Sequence, residues 1–283
     1  MIPSSSTRRV LLGAFEHGLE VWDLGARRLV GSLSTIFDFG GSRVALSDEL
    51  DIVVAGAYQR RGLVGYSPEL GVVQWERKDL KKIQKLSLSA DGTRVFCGRE
   101  GFPCEVVDVE SGETLGRLKG TRTVVESPWE PVRLSDRWKP VIEDQLGKTL
   151  FLVPRLSFAF LDVAFAPGKL FISESGGLVR CLSTESGKEL WRYLPNSGAH
   201  VLRLAYCSDD DSVGGVEWPY EQGGPRTLLS LSASNGAYRA VHEIAGTDQA
   251  FCDRGRCVVT STREVLASTS AAVLYKLESD RAG

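Results

Sequence analysis

The side chains of this chain that could do chemistry are three histidines, six cysteines and one run of acids. Metal binding or acid–base catalysis needs several such groups converging on one point. His17, His200 and His242 are far apart in sequence, and none stands in an HExxH or other paired-ligand pattern, so they read as turn or strand histidines. Cys97 and Cys104 bracket residues 98–103, and Cys252 and Cys257 bracket a turn at 253–256. Each pair can face across a hairpin, and a disulfide fits that geometry. With no CxxC and a cytosolic setting expected, the thiols read as free and half-buried. Asp209, Asp210 and Asp211 offer oxygen ligands to a hard cation but lack the interleaved spacing of a calcium loop, and read as a solvated turn. GxSxG, GxxxxGK[ST] and GxGxxG do not occur, which leaves nucleophile-elbow and phosphate-loop chemistry without residues to carry it. No metal and no cofactor is expected.

Composition narrows the classes further. The chain has 283 residues, 42% of them hydrophobic, which is enough to bury a large core. The formal net charge of -2 implies no global attraction to nucleic acid or to an anionic membrane. No stretch approaches the apolar length of a membrane span. The N-terminal MIPSSSTRRVLLGAF lacks the basic start and apolar core of a secretory signal, and Glu16 and His17 interrupt it. A cytoplasmic location is expected.

The elements that would position any site form a repeat. LFISESGGLVRCLSTESGKELWRY, from Leu170 to Tyr193, reads as three strands joined by tight turns at Ser175-Gly176-Gly177 and Ser186-Gly187. The same unit recurs at Arg9 to Leu33, Ile52 to Trp75, Arg94 to Leu118, Val132 to Val153, Val213 to Ile244 and Cys257 to Leu277. A turn glycine before the last strand falls at Gly25, Gly71, Gly112, Gly147, Gly187 and Gly236, with spacings of 46, 41, 35, 40 and 49 residues. Roughly 40–45 residues is the period of a four-stranded propeller blade. The fourth strand of each unit lies between repeats, as in Ile83 to Ser89, Phe160 to Phe165 and Val201 to Cys207. As innermost strands these can be apolar on both faces. The first blade lacks an obvious inner strand. Either Ala271 to Leu277 or a short N-terminal strand supplies it.

LSADGTRVFCG (88–98) followed by EVVDVESGETLGRL (105–118) resembles a blade of the WD-repeat and quinoprotein-like β-propellers, and VWDL (21–24) and SGKELW (186–191) resemble their second-to-third strand turns. The resemblance covers most of the chain and implies an all-β, seven-bladed β-propeller of four-stranded antiparallel blades, as one domain over 1–283. The Gly-His pair of true WD repeats is missing, so their internal hydrogen-bond tetrad is not carried over. Quinoprotein dehydrogenases also need a signal peptide and usually an adjacent-cysteine pair, and this sequence has neither.

In such a fold, the loops from second to third strand and the links from each outer strand to the next blade share one face. That sorting collects Glu16 and His17, Tyr58, Arg60 and Arg61, Arg99 and Phe102, Arg137 and Trp138, and Trp218 and Tyr220, together with Lys78, Lys81 and Lys82 in the link after the second blade. Trp, Tyr and Arg are enriched where interfaces concentrate their binding energy. Tryptophans in such loops also cover small cores of their own sheet, and Glu76 and Asp79 partly neutralise the lysines. Trp129 falls on the opposite face. The expectation is a non-enzymatic module that binds a partner protein. One version is an immunity protein that neutralises a toxin, and another is a scaffold subunit of a larger complex. The alternative is an enzyme, a lyase or hydrolase at the central channel.

Overall fold

The computed structural model describes residues 2–3, 9–14, 18–33, 44–47, 49–56, 62–136, 140–154, 160–195, 199–219, 226–244, 249–252, 257–260, 264–267 and 273–276. Every regular element among them is a strand, and no helix is long and apolar enough to cross a membrane. The strands form seven four-stranded sheets among the described residues, each in chain order with antiparallel neighbours.

Two compact units divide the chain. One comprises Met1–Glu126, Arg133–Pro140 and Leu277–Gly283, and the other Ser127–Val132 and Val141–Lys276. The first sheet is β1 (Ile2–Pro3), β2 (Arg9–Ala14), β3 (Gly18–Asp23) and β4 (Arg28–Leu33). The second is β5 (Val44–Ser47), β6 (Ile52–Gly56), β7 (Leu63–Ser67) and β8 (Val72–Arg77). The third is β9 (Ile83–Leu88), β10 (Arg94–Arg99), β11 (Cys104–Asp108) and β12 (Thr114–Leu118). A fourth sheet, β13 (Thr123–Glu126), β14 (Val132–Asp136), β15 (Val141–Asp144) and β16 (Thr149–Leu152), contributes strands to both units. The second unit holds β17 (Phe160–Ala166), β18 (Lys169–Glu174), β19 (Val179–Ser183) and β20 (Glu189–Tyr193). It also holds β21 (His200–Cys207), β22 (Ser212–Trp218), β23 (Arg226–Ser232) and β24 (Tyr238–Ile244), and finally β25 (Gln249–Cys252), β26 (Cys257–Thr260), β27 (Glu264–Ala267) and β28 (Val273–Lys276). The short N-terminal strand completes the first sheet, while β28 is the outer strand of the last.

The core lies between sheets. Leu19, Val21 and Leu33 of the first sheet pack on Val44, Leu46, Val53 and Tyr66 of the second. Ile52, Val54 and Leu63 on the other side of the second sheet pack on Ile83, Val95, Cys97 and Val107 of the third. In the other unit, Phe171, Cys181 and Trp191 meet Val201, Val213 and Leu229. Inner and middle strands therefore carry apolar residues in unbroken runs, such as the fully buried IVVAG and LVGYS, while the outer β8 is largely exposed. First strands of successive sheets are neighbours: β1 beside β5, β5 beside β9 and β9 beside β13 in one unit, and β17 beside β21 and β21 beside β25 in the other.

The outer strands of the first, second, fourth and fifth sheets also engage the next sheet. The pairing of third and outer strands slips by one residue at the same place in every sheet, for example after Gly65↔Trp75 and after Cys181↔Trp191. At that slip Trp75 lies on the turn glycine Gly112 of the next sheet and donates from Nε1 to the Val109 carbonyl at 2.9 Å. Trp191 does the same to Gly236 and to the Ala233 carbonyl at 3.1 Å. Phe151 lies on Gly187 without a donor. Where the slip residue is Gly31 instead, the following turn glycine, Gly71, has nothing near its Cα hydrogens, and Pro68 fills the space over Gly31. Five of the six predicted turn glycines have φ between +68° and +83°. In the β3–β4 turn the left-handed residue is Arg27 (φ 54°) rather than Gly25, with Asp23 Oδ1 accepting from the Ala26 N–H at 2.8 Å.

Candidate partner-binding surface

Tyr58, Arg60, Arg61, Arg137, Trp138 and Tyr220, with Glu16 and His17, lie outside the described residues. Lys78, Lys81 and Lys82 lie in the link from β8 to β9, Phe102 in the loop from β10 to β11, and Trp218 at the end of β22, where the sorting by loop type puts them. Trp129 sits in the loop from β13 to β14, at the other end of its sheet, with Nε1 donating to the Phe165 carbonyl at 3.0 Å.

Three loop segments of the first unit are joined by backbone hydrogen bonds. The Glu100 N–H donates to the Lys82 carbonyl at 3.0 Å, and the Cys104 N–H to the Thr121 carbonyl at 3.1 Å. Gly98 lets the Arg122 carbonyl approach, since any Cβ there would collide with it. The β8–β9 link, the β10–β11 loop and the β12–β13 link thus form one surface, with Phe102 between Lys82 and Arg122.

Arg99 braces it from beneath. Its Nε donates to the Lys81 carbonyl at 3.0 Å and its guanidinium lies 4.4 Å from the centre of the Phe102 ring. It also pairs with Glu105 at 3.4 Å, whose Oε1 accepts from Arg117 Nε at 2.9 Å. Glu105 is 2% exposed, a burial a carboxylate tolerates only with such partners. Arg77 holds Asp79 through two parallel hydrogen bonds, at 2.9 and 2.8 Å, and donates to the Gly112 carbonyl at 2.7 Å. The Arg77 hydrogen bonds hold the Asp79 carboxyl below its ordinary value. With its own carbonyl bonded to the Glu100 N–H and the preceding Lys81 carbonyl held by Arg99, Lys82 adopts a left-handed backbone (φ 59°), a conformation that a non-glycine residue keeps only when its surroundings enforce it. Phe102 is 49% exposed.

In the second unit Trp218 is 40% exposed, and the Arg226 guanidinium lies 3.5 Å from its ring centre. The indole is thus partly packed against its own sheet and partly open. Nearby, Glu217 accepts from Thr227 Oγ1 at 2.9 Å.

Several of the other chemistry-bearing residues have structural partners. Cys97 and Cys104 are offset, with Cys97 opposite Glu105, and both are free and fully buried. Burial pushes the Cys104 thiol up to about 12 and raises Cys97 as well. Cys252 and Cys257 are direct backbone partners in the β25–β26 pairing. Among the acids, Asp211 accepts from Tyr206 and pairs with Lys169, and Asp210 accepts from Ser212. His200 Nδ1 accepts from the Gly176 N–H at 3.1 Å, and His242 stands opposite Leu228 in β24. Among the described residues no three His, Cys, Asp or Glu side chains are grouped to hold a metal. Sequence reasoning missed the bracing role of Arg99 and Glu105. An Arg and a Glu six residues apart across a hairpin turn were the signal, but only strand register shows that they meet.

No protein family and no curated protein matches the chain. Solved structures do. The computationally designed Ika8 protein is 18% identical over 94% of this chain and 79% of its own, with a TM-score of 0.62. The β-propeller domain of Cps50 (Swd1) from Myceliophteria thermophila is 13% identical over 85% of this chain and 87% of its own, with a TM-score of 0.61. The fold is that of a β-propeller. At these identities the likeness reaches no further than fold, so function must come from the surface of this propeller itself.

Proposed function

We propose that this protein is a non-enzymatic, cytoplasmic protein-binding propeller, one domain whose seven sheets are the blades of a seven-bladed ring. The chain-order succession of first strands within each unit supports that reading of the blades. The observation that carries the binding function is the braced surface of the first unit. An exposed phenylalanine and unpaired cations stand on loops held rigid by buried ion pairs, which is how a recognition site limits the ordering cost of binding. The non-enzymatic reading is supported by the ion pairs of two buried carboxylates, Glu105 through Oε1 with Arg99 and Arg117, and Glu174 with Arg180. Loops held on a rigid scaffold of sheets make protein recognition a natural use of this fold. The role is read as immunity, with the surface capping a toxin. A scaffold subunit would use the same surface.

Affinity capture from the native host, with the wild type beside folded Phe102→Ala and, separately, Trp218→Ala, tests this. A protein retained by the wild type and lost with Phe102→Ala supports the reading. Its identity as a toxin or as an assembly subunit decides between the two roles. Equal capture by wild type and both variants refutes the surface assignment.

A further inference from the structure

The charges of this surface are unevenly paired. Glu105 is held by Arg99 and Arg117, Asp79 by Arg77, and Glu76 lies 3.6 Å from Lys78. Those three acids are thereby taken up, and Glu100 is the one other acid on the loop that carries Phe102. Lys81 and Lys82 on one side of Phe102, and Lys119 and Arg122 on the other, are exposed and form no ion pair among the described residues. Four cations without an ion-pair partner among the described residues thus stand on the two loop segments that flank the one carrying the half-exposed Phe102, on a chain whose formal net charge is -2. A local field opposite in sign to the whole molecule attracts a partner by its own surface rather than by bulk charge, and it fixes orientation on approach.

We infer that this surface binds an acidic protein segment that carries an apolar side chain. The acids meet Lys81, Lys82, Lys119 and Arg122, and the apolar side chain packs on Phe102. The inference rests on the partner-binding reading above and adds the chemistry of the partner. Bracing favours recognition through side chains, because the Lys81, Lys82 and Thr121 carbonyls are already bonded within the surface. A nucleic-acid strand is disfavoured. Its evenly spaced phosphates call for a continuous basic stripe, whereas here two short groups of cations stand on loops either side of the one carrying Phe102, on an acidic chain.

The test uses the full chain and three fluorescein-labelled probes: a 15-residue Glu/Asp/Gly peptide with a central Leu, its Lys/Arg counterpart, and a 15-nucleotide oligothymidylate. Anisotropy is read at low and at physiological salt. The acidic peptide is expected to bind saturably and to weaken at least tenfold in Lys81→Glu/Lys82→Glu and in Lys119→Glu/Arg122→Glu. Added salt should weaken it as well. Phe102→Ala should weaken the Leu peptide severalfold but not a version with Gly in its place. If a reversal variant does not fold, by circular dichroism, the corresponding Gln pair replaces it, with a smaller loss in the same direction. Equal binding of the basic peptide, unchanged affinity in the folded charge variants, or no binding of the acidic peptide overturns the inference. Oligothymidylate binding that is tighter than the peptide's and is lost in the same variants also overturns it, in favour of nucleic acid. If the peptide fails while capture of a cellular protein still depends on Phe102, only the acidic chemistry falls and the partner-binding reading stands.

Discussion

Substituting alanine at two equivalent turn glycines separates backbone strain from packing in this fold. Gly71 and Gly112 occupy the same place in successive sheets, with φ of 69° and 74° and the same hydrogen bond back to the start of the turn, to the carbonyls of Ser67 and Asp108. They differ in what covers them. A Cβ on Gly71 would meet nothing within 4 Å, whereas one on Gly112 would lie 2.6 Å from Trp75 Cδ2 and 2.8 Å from Cε3. Gly71→Ala therefore suffers only the left-handed backbone, about 1 kcal/mol. Gly112→Ala adds overpacking against an indole tethered to Val109, typically a further ~1–3 kcal/mol. With a urea slope of about 3 kcal/mol/M, the midpoint should fall by about 0.3 M for Gly71→Ala and by about 1 M for Gly112→Ala. Urea titration followed by tryptophan fluorescence and circular dichroism measures both. Equal losses, or a smaller loss at Gly112, would refute the claim that the outer-strand tryptophan locks onto the next sheet's turn.

Glu105→Gln should cost about 3 kcal/mol because it removes the charge that offsets the largely buried Arg99 guanidinium, while Arg117→Ala, at a pair partner that is 67% exposed, should cost under about 1 kcal/mol; thermal or urea denaturation reads both. Cys97, Cys104 and Cys181, all buried with their thiols pushed up by burial, should resist alkylation at pH 8 in the native protein and react on unfolding, as mapped by mass spectrometry. Burial raises the Glu189 carboxyl, but hydrogen bonds from Arg192 and Arg180 outweigh it and the net shift is downward. Its contribution is therefore present above the unfolded carboxylate value, about 4.3, and is lost as pH falls through the lower folded value. The stability gap between wild type and Glu189→Gln should be full at pH 7 and shrink below about pH 4.

The strands and their repeat were legible in the sequence because strand alternation and turn glycines are local: Arg9–Leu33 and Arg94–Leu118 begin and end with the strands they were read to contain. Loop type followed from strand order alone, so Lys78, Lys81, Lys82, Phe102 and Trp218 fall at the predicted ends of their strands. Pairing across the chain was not legible. That β1 rather than β28 completes the first sheet depends on a two-residue strand too short to leave a pattern. The offset of Cys97 from Cys104 depends on hairpin register, which the loop sequence leaves open. The meaning of Trp75 depends on a glycine 37 residues later in the next sheet, a contact made only when the two sheets pack. Composition and local periodicity thus determined which segments are strands and which residues stand in loops. Only the tertiary structure decided which loops are stitched together, which charges cancel and which are left facing solvent, because those depend on contacts between residues far apart in sequence.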